Sequence, residues 1–128
     1  MLLADGLRTV LADAIDASLT TDGSARFQNA AQTITYANCN LSNPAFGSAA
    51  TGVITLSGTP TETSASAGTT LACGFYDATT AGTLQFSLGV NDTGTPDMTI
   101  SNNVLQASDQ VEISSLTITV PAGSKVTS

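Results

Sequence analysis

The chain has 128 residues with three basic and ten acidic side chains, no histidine, and a formal net charge of -7. That length suits one domain, burying roughly two-thirds of the unfolded chain's surface without help from metal or disulfide. Arg8, Arg26 and Lys125 are too few to neutralise phosphates or hold an anionic lipid surface, and the absence of histidine removes Ser/His/Asp relays and imidazole metal ligands.

Residues 1–22 form the first unit, an amphipathic α-helix. Leu3, Leu7, Val10, Leu11, Ala14, Ile15 and Ser18 recur at spacings of three and four, whereas Asp5, Asp13 and Asp16 fall on other faces. Thr20-Thr21-Asp22-Gly23 supplies the polar turn that ends the helix. Its internal charges keep it from spanning a bilayer, and it lacks the basic start of a secretory signal. Two uses of its apolar face stay open: covering one end of the domain's own core, or packing against a sister subunit or larger host.

Residues 23–128 are rich in Thr, Ser, Gly and Ala and carry no second helical period. Short strands are expected at about 25–29, 32–37, 51–57, 69–77, 83–90, 97–101 and 111–120, between turn runs such as Ser57-Gly58-Thr59-Pro60 and Asn91-Asp92-Thr93-Gly94. Leu84, Phe86, Leu88 and Val90 alternate with polar or small residues, so one face of that strand is core. In the last strand Val111 and Ile113 keep one phase and Leu116, Ile118 and Val120 the other. A bulge at Ser114-Ser115, or a strand that crosses between two sheets, would reconcile them. Pro121-Ala122-Gly123 then stops the strand. The fold class is mainly β: an antiparallel β-sandwich, jelly-roll or Ig-like, with one N-terminal helix.

Candidate chemistry is sparse. Cys73 alternates with Leu71 and Phe75 and so points inward, while Cys39 sits near a strand end; a disulfide and two separate buried thiols are both open. The oxygen-rich run Asn91 to Asp97 has neither the spacing nor the terminal glutamate of an EF-hand and suits a hairpin turn. The acid pairs Asp92 with Asp97, and Glu62 with Glu112, have no spacing that makes them face each other. Phosphate loops and nucleophile elbows are missing too. No catalytic, cofactor or metal residue is assigned, and an enzyme is not expected.

Several runs carry a resemblance. Leu41-Ser42-Asn43-Pro44-Ala45-Phe46-Gly47-Ser48-Ala49-Ala50-Thr51-Gly52-Val53, then Ala67-Gly68-Thr69, Pro96-Asp97-Met98-Thr99-Ile100, and Ser115-Leu116-Thr117-Ile118-Thr119-Val120-Pro121-Ala122-Gly123 are similar to a family of small tailed-bacteriophage virion proteins. With the leucine- and alanine-rich start, the likeness covers nearly the whole chain. It departs from the family pattern in lacking a glycine within Ser108-Asp109-Gln110 and in carrying two cysteines. The resemblance implies a capsid decoration or cement protein on the virion surface, assembled in the bacterial host cytoplasm. Its partners would be the major capsid protein and further copies of itself, a trimer being one form, with neither nucleic acid nor membrane involved. Leu3, Leu7, Val10, Leu11 and Phe46 are the residues expected to reach a neighbour. A tail, neck or fibre module is the alternative within the virion. A receptor- or carbohydrate-binding sandwich is a further one, disfavoured by the absence of tryptophan. The acidic excess is expected on the outward surface and away from contacts.

Overall fold

A computed structural model of the chain describes residues 2–19 and 22–121. Helix α1 spans Asp5–Ser18, and the strands that follow are β1 (Ser24–Gln28), β2 (Thr35–Asn40), β3 (Val53–Thr55), β4 (Thr61–Glu62), β5 (Gly68–Thr69), β6 (Ala72–Tyr76), β7 (Leu84–Asn91), β8 (Met98–Thr99), β9 (Val104–Leu105), β10 (Val111–Glu112) and β11 (Thr117–Thr119). The chain is therefore mainly β with one N-terminal helix. The helix-ending Thr20 and Thr21, and the strand-stopping Ala122 and Gly123, lie outside the described residues.

Five strands form the main sheet in the order β2-β1-β6-β7-β8, and three two-stranded ladders pair β10 with β4, β11 with β3 and β5 with β9. The main sheet is mixed rather than purely antiparallel, because β8 runs parallel to β7 with Val90 opposite Met98. The run from Asn91 to Asp97 is thus not a hairpin turn; it carries the chain back to begin β8 in the same direction. β4 and β9 have two residues each, too few to show the alternation by which a strand is read from sequence.

The phase change in the last strand has a definite cause. Residues 111–112 pair with β4 and 117–119 with β3, so two consecutive segments of one strand meet two consecutive segments of another. Between the paired ends lie five residues on one side, 56–60, and four on the other, 113–116. The extra residue therefore belongs to the Leu56–Pro60 side and not to Ser114-Ser115, and Gly58 there takes φ +69°. Ser108 also sits at φ +69°, the left-handed region that favours glycine.

Register places Ala25, Phe27, Ala37, Cys39, Cys73 and Phe75 on one face of the main sheet. These residues join Ile54, Leu56, Val111 and Ile113 in a single buried cluster. Phe75 stacks on Phe86 with ring centroids 4.6 Å apart. Burial fades along β7, from Val90 at 3 % exposed to Leu84 at 41 %, so the core face predicted for this strand has the right phase but is not covered to its end.

The opposite face is polar. Arg26 lies 4.0 Å over the Tyr76 ring and donates to the carbonyls of Ala78 and Ala81, which ties the β6–β7 connection to β1. Gln28 Nε2 donates to the Tyr76 hydroxyl at 2.9 Å and to Thr35 Oγ1 at 3.1 Å. Arg26 is thus held by aromatic and carbonyl partners, which leaves little of the chain's scarce positive charge for a ligand.

Candidate interaction surface

Polar side chains fasten α1 to the body. Asp16 Oδ1 accepts the Phe46 N–H at 2.9 Å, Asp13 Oδ1 accepts that of Ala49 at 3.0 Å, and Thr9 Oγ1 that of Gly52 at 3.2 Å. Arg8 Nε donates to the Val120 carbonyl at 2.8 Å, and its guanidinium pairs with Asp5 at 3.0 Å. The segment from Phe46 to Gly52 has N–H groups without strand partners, and the helix supplies the acceptors they require. Ala12 and Leu19 are buried on this docked side, and Ile15 packs against it. The docked face, near positions 8, 12, 16 and 19, is turned roughly 130° from the apolar stripe seen in the sequence, at about 100° per residue.

Close approach of α1 depends on Gly52, whose φ is +76° and where an added Cβ would stand 2.8 Å from Arg8 Cβ. Gly52→Ala is expected to cost about 1–3 kcal/mol, from strain and overpacking. Because the clash is with the helix, proteolysis within residues 5–18 should accelerate, and limited digestion followed by mass spectrometry checks this. Unchanged cleavage would mean that the helix does not rest on Gly52.

The N-terminal half of the apolar stripe is consequently left outside, while Ile15 packs on the core. Leu7 is 49 % exposed, Val10 63 % and Leu11 41 %, with Leu2 at 63 % beside them in sequence, and Leu3 is half-buried. Four of the five residues expected to reach a neighbour thus lie wholly or partly at the surface. Phe46 does not: it is 1 % exposed and belongs to the core cluster, so the expectation that it reaches a neighbour is corrected. The Asp16 carboxylate draws the backbone of Phe46 against α1, and the chain pairs Phe46 with Leu56 across a β-bridge, which tucks the ring beneath the helix.

The other candidates are resolved by register. Cys39 on β2 lies opposite Ala25 and Cys73 on β6 opposite Phe27, so β1 separates them. Two strand spacings are about 9.5 Å, beyond the roughly 7 Å Cα separation that a disulfide tolerates, and both thiols are free and buried. Burial pushes the Cys39 thiol up to about 12, with the Glu62 carboxylate adding to the rise. Burial likewise holds Cys73 well above its ordinary value, reinforced by Cys39. Such thiols are poor nucleophiles.

Glu62 lies opposite Val111, and Glu112 opposite Thr61, which puts the two glutamates on opposite faces of their ladder. Among the described residues no group of three or more Cys, Asp or Glu side chains is placed to hold a metal ion. Carboxylates serve instead as acceptors for backbone N–H groups: Glu62 for Ser64, Asp77 for Thr83, Asp97 for Gly89 and Asp109 for Gln106. Asp97 and Glu112, which spacing does not connect, line one cavity of about 370 Å³ together with Phe27, Val90 and Met98. Only the tertiary fold brings the start of β8 and β10 to one cavity, so no local pattern announces it.

Compared with known protein families, curated proteins and solved structures, the chain matches none. No helix among the described residues is long and apolar enough to cross a membrane.

Proposed function

We propose that the chain is a virion structural protein that decorates the outer surface of a tailed-bacteriophage capsid and stabilises the shell through protein–protein contacts. The observation that carries this reading is the apolar ridge of α1. Leu7, Val10 and Leu11 of α1 stand exposed, as does Leu2 ahead of the helix, while Asp13 and Asp16 bond the backbone of the body and Asp5 pairs with Arg8, so covering these apolar side chains desolvates no unpartnered charge of the helix. Covering such a ridge recovers about 25 cal/mol per Å² of apolar surface. Contiguous exposed apolar residues of this kind mark contact surfaces.

The runs that resemble small phage proteins support the virion context, with the major capsid protein as partner and self-association into an oligomer on the shell as parts of the proposal. No catalytic step belongs to the proposal. A protein that binds only assembled shell shifts the equilibrium away from disassembly, and many copies multiply the effect. The finer architecture is part of the same reading: the β3–β11 and β4–β10 ladders, which share one core with the main sheet, form the second layer of a jelly-roll or Ig-like sandwich.

Gel densitometry of purified particles tests the address. Decoration predicts on the order of hundreds of copies per particle, whereas about three to twelve copies, the count of a ring or vertex, would move the protein to the tail or neck.

A further inference from the structure

The main sheet stops short along one edge. β8 pairs only with Val90 and Asn91, so the outer edge of β7 from Leu84 to Gly89 has no strand beside it among the described residues. Across from it lies β11, which pairs with β3 on one side only. Ile118 of β11 and residues Gln85 to Leu88 of β7 line the same cavity, under α1, of about 420 Å³. No strand pairing joins β7 to β11. Further along the two strands, Val90 of β7 and Thr117 of β11 line a separate cavity of about 370 Å³ above Phe27, and this one shares Thr99, Ile100, Glu112 and Ser114 with a third of about 380 Å³. The three follow one another in a seam along β7–β8 and β10–β11, the last two sharing lining residues.

The backbone along the seam has hydrogen bonds to give. Val90 N–H bonds the Leu71 carbonyl, whereas Gly89 N–H points the other way, to Asp97 Oδ2 at 2.9 Å. By the two-residue period of a strand, Ser87 turns its N–H and C=O to the same open side as Gly89. On β11, Val120 N–H bonds Gly52 and the Leu116 carbonyl accepts from Leu56, so Thr117 and Thr119 turn their polar groups away from β3. Unpaired strand edges are templates for another strand. The charge of the seam has one sign among the described residues: Asp97 and Glu112 line the middle cavity, Asp109 and Glu112 the third, and no described Lys or Arg lines any of them.

We infer that this seam is a strand-acceptor site for an extended segment of another protein, one that alternates apolar with small polar residues and carries a Lys or Arg where it passes Asp97 and Glu112. Its apolar side chains fill the cavities over Leu88 and Val90, its backbone pairs with Ser87, and its cation meets the two carboxylates. The inference goes beyond the capsid reading and does not rest on it, since the seam asks only for a strand of this chemistry.

The test uses the full chain and two acetylated octapeptides, Lys-Val-Thr-Val-Lys-Val-Thr-Val and its counterpart with glutamate for lysine, with amide hydrogen exchange followed by NMR. The lysine peptide is expected to slow exchange of the Ser87 amide by about tenfold or more. The glutamate peptide leaves it unchanged, and Asp97→Asn weakens the lysine peptide by about tenfold. Failure of the lysine peptide to protect Ser87, or protection confined to the β2 edge, overturns the inference. So does a Ser87 amide that is already protected in the free chain and released when residues 122–128 are removed, because the chain's own tail would then be the occupant.

Discussion

Replacing Phe46 with alanine is expected to destabilise the isolated protein by about 3–5 kcal/mol, the cost of emptying a large buried aromatic site. The ring is 1 % exposed, within a cluster that includes Ala12, Leu19, Ile54 and Leu56. Little around it can collapse, because the backbone on both sides is fixed: Phe46 N–H by Asp16, and Gly47 N–H by the Thr55 carbonyl. Total stabilities of such domains are about 5–15 kcal/mol, so this change removes a large share. The urea midpoint of the purified protein checks it. A loss within about 0.5 kcal/mol would return Phe46 to the surface, as a residue that contacts a neighbour.

Alkaline pH is the second large lever. Each thiol has a folded-state value above its unfolded one, so the native state holds its proton in a range where the unfolded chain releases it. The stabilisation is complete below about 9, and for Cys39 it is lost as pH rises from there through about 12. Burial also raises the Cys73 thiol, which adds a loss of the same sign. The slope is about 1.4 kcal/mol per pH unit for each thiol within its window. Urea midpoints measured from pH 8 to pH 11 should therefore fall steeply. The double variant Cys39→Ala and Cys73→Ala should be less stable at pH 8, because of the cavities it leaves, yet lose less on going to pH 11. Parallel slopes in the two proteins would show that the thiols are not the titrating groups.

How much of this is legible in the sequence differs by element. The helix is legible because Leu3, Leu7, Val10 and Leu11 repeat at its period, and the core phase of β7 because Phe86, Leu88 and Val90 alternate without interruption. Which face of the helix docks is not legible. That face is chosen by the N–H groups of Phe46, Ala49 and Gly52, more than 29 residues away, whose need for acceptors is visible only in the fold. An amphipathic stripe shows where apolar side chains sit; it does not show whether the chain's own body or another molecule covers them. The same distinction misplaces Phe46, since a run of Asn, Pro and Gly reads as an exposed loop although its aromatic side chain is buried. Parallel pairing of β8 escapes for a related reason, as a two-residue ladder has no pattern of its own.

The excess of acid over base acquires a structural meaning beyond its exclusions. With three basic residues in the sequence, the carboxylates cannot be balanced by ion pairs, and the one ion pair among the described residues joins Arg8 to Asp5. Backbone N–H groups take the place of cations, in the helix anchors Asp13 and Asp16 and in the turn acceptors Asp77, Asp97 and Asp109. The Asp13 and Asp16 contacts turn those two acids toward the body and leave Leu7 and Val10 facing out.

The central claim is that this outward ridge serves a partner and not the protein's own core, and the double variant Leu7→Asp with Val10→Asp tests it most directly. The predicted result has two parts: the urea midpoint of the isolated protein stays within about 0.5 kcal/mol of the parent, as for surface substitutions, while variant-bearing particles lose copies of the protein and disassemble at a lower temperature. Particles that keep full occupancy and heat resistance with the variant would contradict the account, as would an isolated variant that unfolds.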